Sequence, residues 1–183
     1  MSMSRPNKAR VAPSPVALKK ARDYMAGKPH NAVNIIATMA HHDGFAHAFR
    51  GLTRFVLEEA TVPRRQRELV ILRMGWNCQA QYEFGQHTLM AKANGVTDEE
   101  IASVTRPLAT HAWSEEDSVL LQMVDDLHQD DCISQDIWDK LESLWTTPEI
   151  IEFTASALTY RMVSGFLNSF GVELDEGVPG WPS

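Results

Sequence analysis

Glu83 and His87 stand four residues apart in the run Tyr82-Glu83-Phe84-Gly85-Gln86-His87. On a helix the two side chains share a face with β-carbons roughly 6 Å apart, close enough to pass a proton through one substrate atom or one water. The same spacing also suits a surface salt bridge worth a fraction of a kcal/mol. Against that reading, Tyr82, Phe84 and Leu89 crowd the small Gly85 with apolar groups. Such surroundings desolvate a carboxylate or an imidazole and bring its pKa toward neutrality, as acid and base roles require. A second carboxylate, Glu68, lies in Pro63-Arg64-Arg65-Gln66-Arg67-Glu68-Leu69-Val70-Ile71-Leu72-Arg73, which also reads as helix. If the two helices meet around Trp76-Asn77-Cys78, Glu68 lies nine residues before Asn77 and His87 ten after it. An antiparallel hairpin then brings both to nearly the same depth. Helical Glu and His at this spacing also ligate metals, with Glu68 as a third ligand, but two local ligands do not call for one. No metal or other cofactor is expected.

The remaining chemically capable residues carry weaker signals. His41 and His42 are adjacent, and neighbours in sequence point apart on a helix, so polar capping of a helix end is the plain reading. If that end closes over a pocket, His41 or His42 contacts substrate. His47 lies one and a half turns beyond this pair, and His111 and His128 read as surface residues in polar segments. Cys78 precedes the Tyr82 helix, where the dipole would lower a thiol pKa. The other cysteine, Cys132, is far away in sequence. A two-thiol mechanism lacks half its parts, and a lone buried cysteine is the better reading. Arg64, Arg65 and Arg67 read as a solvated first turn or a subunit contact rather than a phosphate site.

The elements that must hold these residues are helical throughout. Helices are predicted over Val16 to Ala26, ended by Lys28-Pro29-His30, and over Ala32 to Met39. Another runs from Phe45 to Glu59, capped by Asp43, with Phe45, Phe49, Leu52 and Val56 at helical spacing. Pro63 suits the first position of the next helix, and Asn77 suits the cap of the one carrying Tyr82, Glu83 and His87, which ends near Asn94-Gly95. Thr97-Asp98-Glu99-Glu100 is a capping box opening a short helix through Val104. Ser114, Ser134 and Thr147-Pro148-Glu149 open three more, the last reaching about Phe170 before Gly171. No stretch alternates with period two for long enough to form a sheet, so the fold class is all-α.

At 183 residues with 44% hydrophobic content the chain suits one domain, residues 16–183, preceded by an extended arm over residues 1–15 that carries Pro6, Pro13 and Pro15 and is suited to wrapping a neighbouring subunit. A net charge of −7 argues against nucleic acid or an anionic membrane as the main partner. No apolar leader or membrane-length run is visible, and a cytoplasmic location is expected.

From about Asn34 to Val104 the chain resembles the carboxymuconolactone decarboxylase family, whose superfamily includes the AhpD-like alkylhydroperoxidases. The resemblance rests on Arg67-Glu68-Leu69-Val70-Ile71-Leu72-Arg73, on Tyr82-Glu83-Phe84 with His87, and on Gly95-Val96-Thr97-Asp98-Glu99-Glu100-Ile101. Tyr160-Arg161-Met162-Val163-Ser164-Gly165-Phe166-Leu167-Asn168 is similar to the tail of its longer members. The peroxidase branch has a glutamate followed by C-x-Y-C-x-x-x-H. Its glutamate falls on Glu68, its cysteines on Ala80 and Glu83, its tyrosine on Tyr82 and its histidine on His87. Both thiol positions are lost, and Cys78 lies two positions early. The decarboxylase branch places a glutamate four residues before the histidine, as Glu83 does here.

The resemblance implies an AhpD-like helical domain assembling as a homo-oligomer, a trimer or hexamer with shared pockets. It implies a cofactor-free lyase or isomerase acting on a small carboxylated lactone or related carbonyl compound. In that scheme His87 is the principal acid or base and Glu83 its partner. Glu68 orients His87 or relays protons, and Tyr82 donates to a developing enolate oxygen. Arg73 and Arg161 are candidates for the cation that meets an acidic substrate, with His42 as a further contact. Two alternatives stay open: an antioxidant protein using Cys78 singly, and a non-catalytic oligomeric binding protein.

Overall fold

The central helical hairpin is buried on nearly every side, and the other helices pack around it. We describe a computed structural model of the chain, covering residues 5–6, 8–26 and 32–182. The helices are α1 (Pro15–Met25), α2 (Val33–Met39), α3 (Asp43–Arg54), α4 (Arg64–Asn77), α5 (Gln81–Ala93), α6 (Asp98–Ser103), α7 (Glu115–Asp130), α8 (Gln135–Leu144) and α9 (Thr147–Phe170), with a π-helical turn at Phe55–Glu59 and a 3-10 turn at Leu108–Thr110. No strand occurs among the described residues. None of the described helices is long and apolar enough to cross a membrane.

Three faces of α4 enter three parts of the core. Val70 and Met74 pack with Leu120, Met123 and Phe153, Leu69 and Leu72 with Phe84, Ile101 and Leu121, and Ile71 with Tyr82, Tyr160 and Val163. Truncating any one of these α4 side chains to alanine costs about 2–5 kcal/mol, because the hairpin has no solvent side into which to relax. In α5, the residues from Tyr82 to Thr88 are all buried. The segment is therefore enclosed all round rather than on one face.

Local signals set most of the helix ends. Ser14 caps α1 and Ser114 caps α7. Capping boxes open α6 at Thr97 and Glu100 and α9 at Thr146 and Glu149, and Gly171 ends α9 in the left-handed conformation. Three expected caps differ. His42 rather than Asp43 caps α3, with Nδ1 accepting from the Phe45 amide at 3.1 Å. Pro63 is the residue before α4 rather than its first. Asn77 ends α4 and does not cap α5, because its amide donates to Asp125 at 2.7 Å. The expected stop at Lys28-Pro29-His30 lies outside the described residues.

The expected single helix from Phe45 to Glu59 divides at Phe55 into α3 and the π-helical turn, whose wider winding places the Ala60 amide on the Phe55 carbonyl at 2.8 Å. The described part of the N-terminal arm lies along its own chain. Arg10 bonds through its amide to the Phe170 carbonyl and through its guanidinium to that of Ser169, and Arg5 donates to the carbonyls of Cys78 and Gln79.

Candidate active site

The turn between α4 and α5 sets the site. Gln79 adopts φ 53°, reversing the chain within three residues, and Arg5 and Asn168 occupy the Cys78 carbonyl that this reversal leaves open. The hairpin brings Glu68 on α4 beside His87 on α5, with Glu68 Oε2 2.7 Å from His87 Nδ1. On the opposite edge of the ring, Nε2 lies 2.9 Å from Glu83 Oε1, one turn earlier on α5. All three side chains are buried, at 5% exposure for His87 and Glu83 and 0% for Glu68.

Two ionised carboxylates can only accept hydrogen bonds, so holding both ring nitrogens calls for a doubly protonated imidazolium. Burial pushes the His87 pKa down, but the charge and hydrogen bond of Glu68, reinforced by Glu83, outweigh it and raise the pKa to about 9. Burial pushes Glu68 up, and the charges and hydrogen bonds of His87 and Arg67 outweigh this and hold it below the usual range. The two directions agree on a charged pair at neutral pH. With both ring nitrogens engaged, the imidazolium has no lone pair for a metal. Among the described residues no cluster of three or more His, Cys, Asp or Glu side chains is arranged to hold one.

Arg67 completes the charge balance. It is 2% exposed, its Nη2 lies 3.2 Å from Glu68 Oε1, and its Nη1 donates to the carbonyls of Val56 and Leu57 at 3.2 Å each. Arg67 is thus not solvated, and its neighbour Arg65 is held by Asp117 and Glu100. Two carboxylates and two cations meet in one buried cluster, so no net charge is buried.

The cluster lies in the wall of a cavity of about 880 Å³. Ile35, Ile36, Phe49, Leu57 and Val163 give it an apolar body, and His47, Arg50, Arg54 and Arg64 give it a basic margin. Tyr160 of α9 stands edge-on to His87, with ring centroids 4.6 Å apart.

Tyr82 also lines the cavity, but its hydroxyl donates to Asp175 at 2.5 Å and accepts from the Ile35 amide at 3.3 Å. The expected hydrogen bond to a substrate oxygen would break the one to Asp175. Asp175 also accepts from the Asn34 amide at 3.0 Å and from Gln86 at 3.0 Å, so it ties the C-terminal segment to α2 and α5.

Three other expected contacts lie elsewhere. Arg73 faces α7, where it grips Asp125 with two bonds of 2.7 Å and donates to the carbonyls of Val104 and Arg106. Arg161 is held by the Leu127 carbonyl and Asp131 at the end of α7. His42 is exposed and occupied as the α3 cap, and His47 further along α3 lines the cavity in its place. Cys78 follows the C-terminal end of α4, with Sγ 3.7 Å from the Met74 sulfur and outside the cavity wall. Burial pushes its thiol pKa up, not down as a helix N-terminus would.

Two site features had no readable signal, since Asp175 comes from a segment remote in sequence and the cavity-facing part of α3 carries no motif. Arg67 and Tyr160 each lay within a run that the sequence singled out, but neither was marked there as a site residue.

Comparison with known proteins follows the same lines. Residues 43–126 match the Carboxymuconolactone decarboxylase family. No curated protein matches the chain in sequence. Among solved structures, a peroxidase-related protein with an alkylhydroperoxidase AhpD core from Ralstonia eutropha JMP134 superposes with a TM-score of 0.78 at 14% identity, over 94% of this chain and 95% of that one. A peroxidase-related protein from Silicibacter sp. TM1040 gives 0.78 at 10% identity, over 97% of each chain. The debrominase Bmp8, solved with 2,3,4-tribromopyrrole, gives 0.76 at 13% identity, over 94% of this chain and 95% of that one. The matched segment contains Glu68, Glu83 and His87. Residues 43–126 are thus similar to the carboxymuconolactone decarboxylase family, within a chain that has the AhpD-like helical fold.

Proposed function

We propose that this protein is a cofactor-independent lyase or isomerase that moves a proton at carbon on a small carboxylated lactone or related carbonyl compound. The observation that carries this reading is the clamp on His87, a buried imidazolium held at 2.7 and 2.9 Å by two carboxylates in a cavity wall. In a decarboxylation, the bond to the carboxylate carbon breaks and its electron pair passes into the carbonyl, leaving carbon dioxide and a dienolate. Protonation of that dienolate at carbon completes the product, and solvent returns one proton to the enzyme. His87 holds the proton, Glu83 carries it to the substrate carbon, and Glu68 steadies the charge that remains. For an isomerisation the same groups take and return one proton, with no net consumption.

Arg50 and Arg64 at the cavity margin replace Arg73 and Arg161 as the cations for an acidic substrate. The exposed margin keeps the substrate carboxylate near water while the reacting end enters the apolar body. Assembly as a trimer or hexamer is part of this proposal. What supports it is α3, which exposes Phe45 and Leu52 and has no buried residue in the single chain. The peroxidase alternative receives no comparable support, since Cys78 lies outside the cavity wall and burial opposes its thiolate.

The test is turnover of carboxymuconolactone, followed by ultraviolet absorbance and carbon dioxide release, in the wild type and in His87→Gln. The variant is expected to lose at least about a hundredfold in kcat, the scale of a positioned acid or base, with unchanged circular dichroism. Full activity in the variant would reject the assignment.

A further inference from the structure

We propose that Tyr160 is the oxyanion donor of this site, a substrate-contacting residue whose hydroxyl hydrogen-bonds the oxygen on which charge develops in an enolisable carbonyl substrate. This rests on the proton-transfer reading of His87 and adds the group that stabilises what that transfer produces.

The geometry comes from two helices facing each other. Proton-bearing groups lie on α5, where Glu83 meets His87 Nε2 at 2.9 Å. Tyr160 approaches from α9 and packs its ring against the imidazole in a T-shaped contact at 75°. Glu83, His87 and Tyr160 line the same cavity, so a substrate lying against His87 meets both the proton source and a phenol. An enolate needs this arrangement, because its basic carbon and its charged oxygen are neighbouring atoms that require different partners.

The hydroxyl itself points to a ligand. Tyr160 is 4% exposed, yet among the described residues its hydroxyl makes no hydrogen bond, and it is not one of the sealed polar atoms such as Arg67 Nε and Ser164 Oγ. It therefore opens onto the cavity that the residue lines. Phenylalanine would fill the same core without leaving a buried donor idle. Two other buried donors that line the cavity are taken. Tyr82 donates to Asp175, and both Arg67 Nη atoms are held by Val56, Leu57 and Glu68. Burial and the charges of Glu83 and Glu68 raise the Tyr160 pKa well above its ordinary value. The phenol thus keeps its proton across the working range and acts as a donor without protonating carbon itself.

The probe is 4-nitrophenolate, an oxygen anion conjugated to sp² carbon like an enolate, with uncharged 4-nitroanisole as control. Binding of both is measured spectrophotometrically at one pH to the wild type and to Tyr160→Phe. Loss of a charge-assisted hydrogen bond should weaken phenolate binding about ten- to a hundredfold and leave the anisole affinity unchanged. Equal weakening of both probes marks a packing role and overturns the proposal. So does an unchanged phenolate affinity, or a wild type that does not bind the phenolate. Should Tyr160→Phe fail to fold, the readout is a low-field proton resonance that appears in the wild type only when 4-nitrophenolate is added, and its absence overturns the proposal. Failure of the underlying reading looks different, since His87→Gln would then leave carboxymuconolactone turnover intact whatever the phenolate result.

Discussion

Glu68 and His87 are nineteen residues apart in the chain and meet at 2.7 Å across the α4–α5 hairpin. Glu83 holds the opposite ring nitrogen, so the imidazole cannot turn without breaking a charge-assisted bond on one edge or the other. The ring is preorganised, and its protonation state depends on its two neighbours.

Replacing Glu68 by glutamine removes the charge that does most to raise His87 while keeping the shape. The His87 pKa should fall from about 9 toward its ordinary value, moving the alkaline limb of the pH–rate profile to lower pH. We expect kcat at neutral pH to fall by up to about 100-fold, the low end of what a positioned acid or base contributes. A limb that stays in place would show that Glu68 does not set the imidazole's charge.

Stability should carry the same signature. His87 has a folded pKa above its ordinary value of 6.5, so its contribution is fully present below pH 6.5 and is lost as pH rises through about 9. The shift corresponds to a contribution on the order of 3 kcal/mol, or roughly 6–12 °C in Tm for a domain of this size. Glu68 has the opposite sign. Its folded pKa lies below the ordinary 4.5, so stability is present above that value and is lost as pH falls through the folded one. The Tm gap between wild type and His87→Gln should therefore shrink as pH is raised from 6.5 to 10, a scan that a differential calorimeter reads directly.

Gly85→Ala should loosen the C-terminal segment. A β-carbon at this position would overlap the Pro179 carbonyl and lie 2.9 Å from Val178 Cγ1, so backbone must move. The same segment carries Trp181, whose ring packs on Trp76 and Phe84 at 5.1 and 5.2 Å, and Asp175, which fixes Tyr82. We expect about 1–3 kcal/mol of destabilisation and a red-shifted tryptophan emission. An unshifted spectrum with native stability would mean that the segment is not seated on α5.

Arg73→Ala should separate structure from binding. Its loss leaves Asp125 and two carbonyls without their donor, costing about 3–5 kcal/mol as for other broken buried pairs. KM for an acidic substrate should hold, whereas Arg64→Ala should raise it with little effect on Tm. The reverse pattern would return Arg73 to the role that its sequence position suggested.

What the sequence made legible was local. The all-α class, the capping box at Thr97, the opening of α9 at Thr147 and the hairpin register joining Glu68 to His87 follow from periodicity, caps and equal rise per residue. Which arginine faces the cavity does not. Arg67 and Arg73 sit six residues apart on one helix, and only the packing of α7 against α4 turns Arg73 toward Asp125. The pairing of Tyr160 and of Asp175 with α5 was illegible for a related reason. Their partners on α5 lie more than seventy residues away in sequence, and no local pattern encodes that pairing.

The π-helical turn at Phe55–Glu59 does more than join two helices. Beyond it, Glu152 accepts from the Thr61 and Val62 amides, the donors that a continued π winding would supply to the Val56 and Leu57 carbonyls. Those two oxygens turn to Arg67 instead. Deleting one residue from this turn would restore ordinary helical winding and rotate both oxygens off the guanidinium. Arg67 would then be free to leave Glu68, whose grip on His87 would change although no atom of Glu68, Glu83 or His87 had been touched. One extra residue in the winding at Phe55–Glu59 thus bears, through Arg67, on the bond between Glu68 and His87.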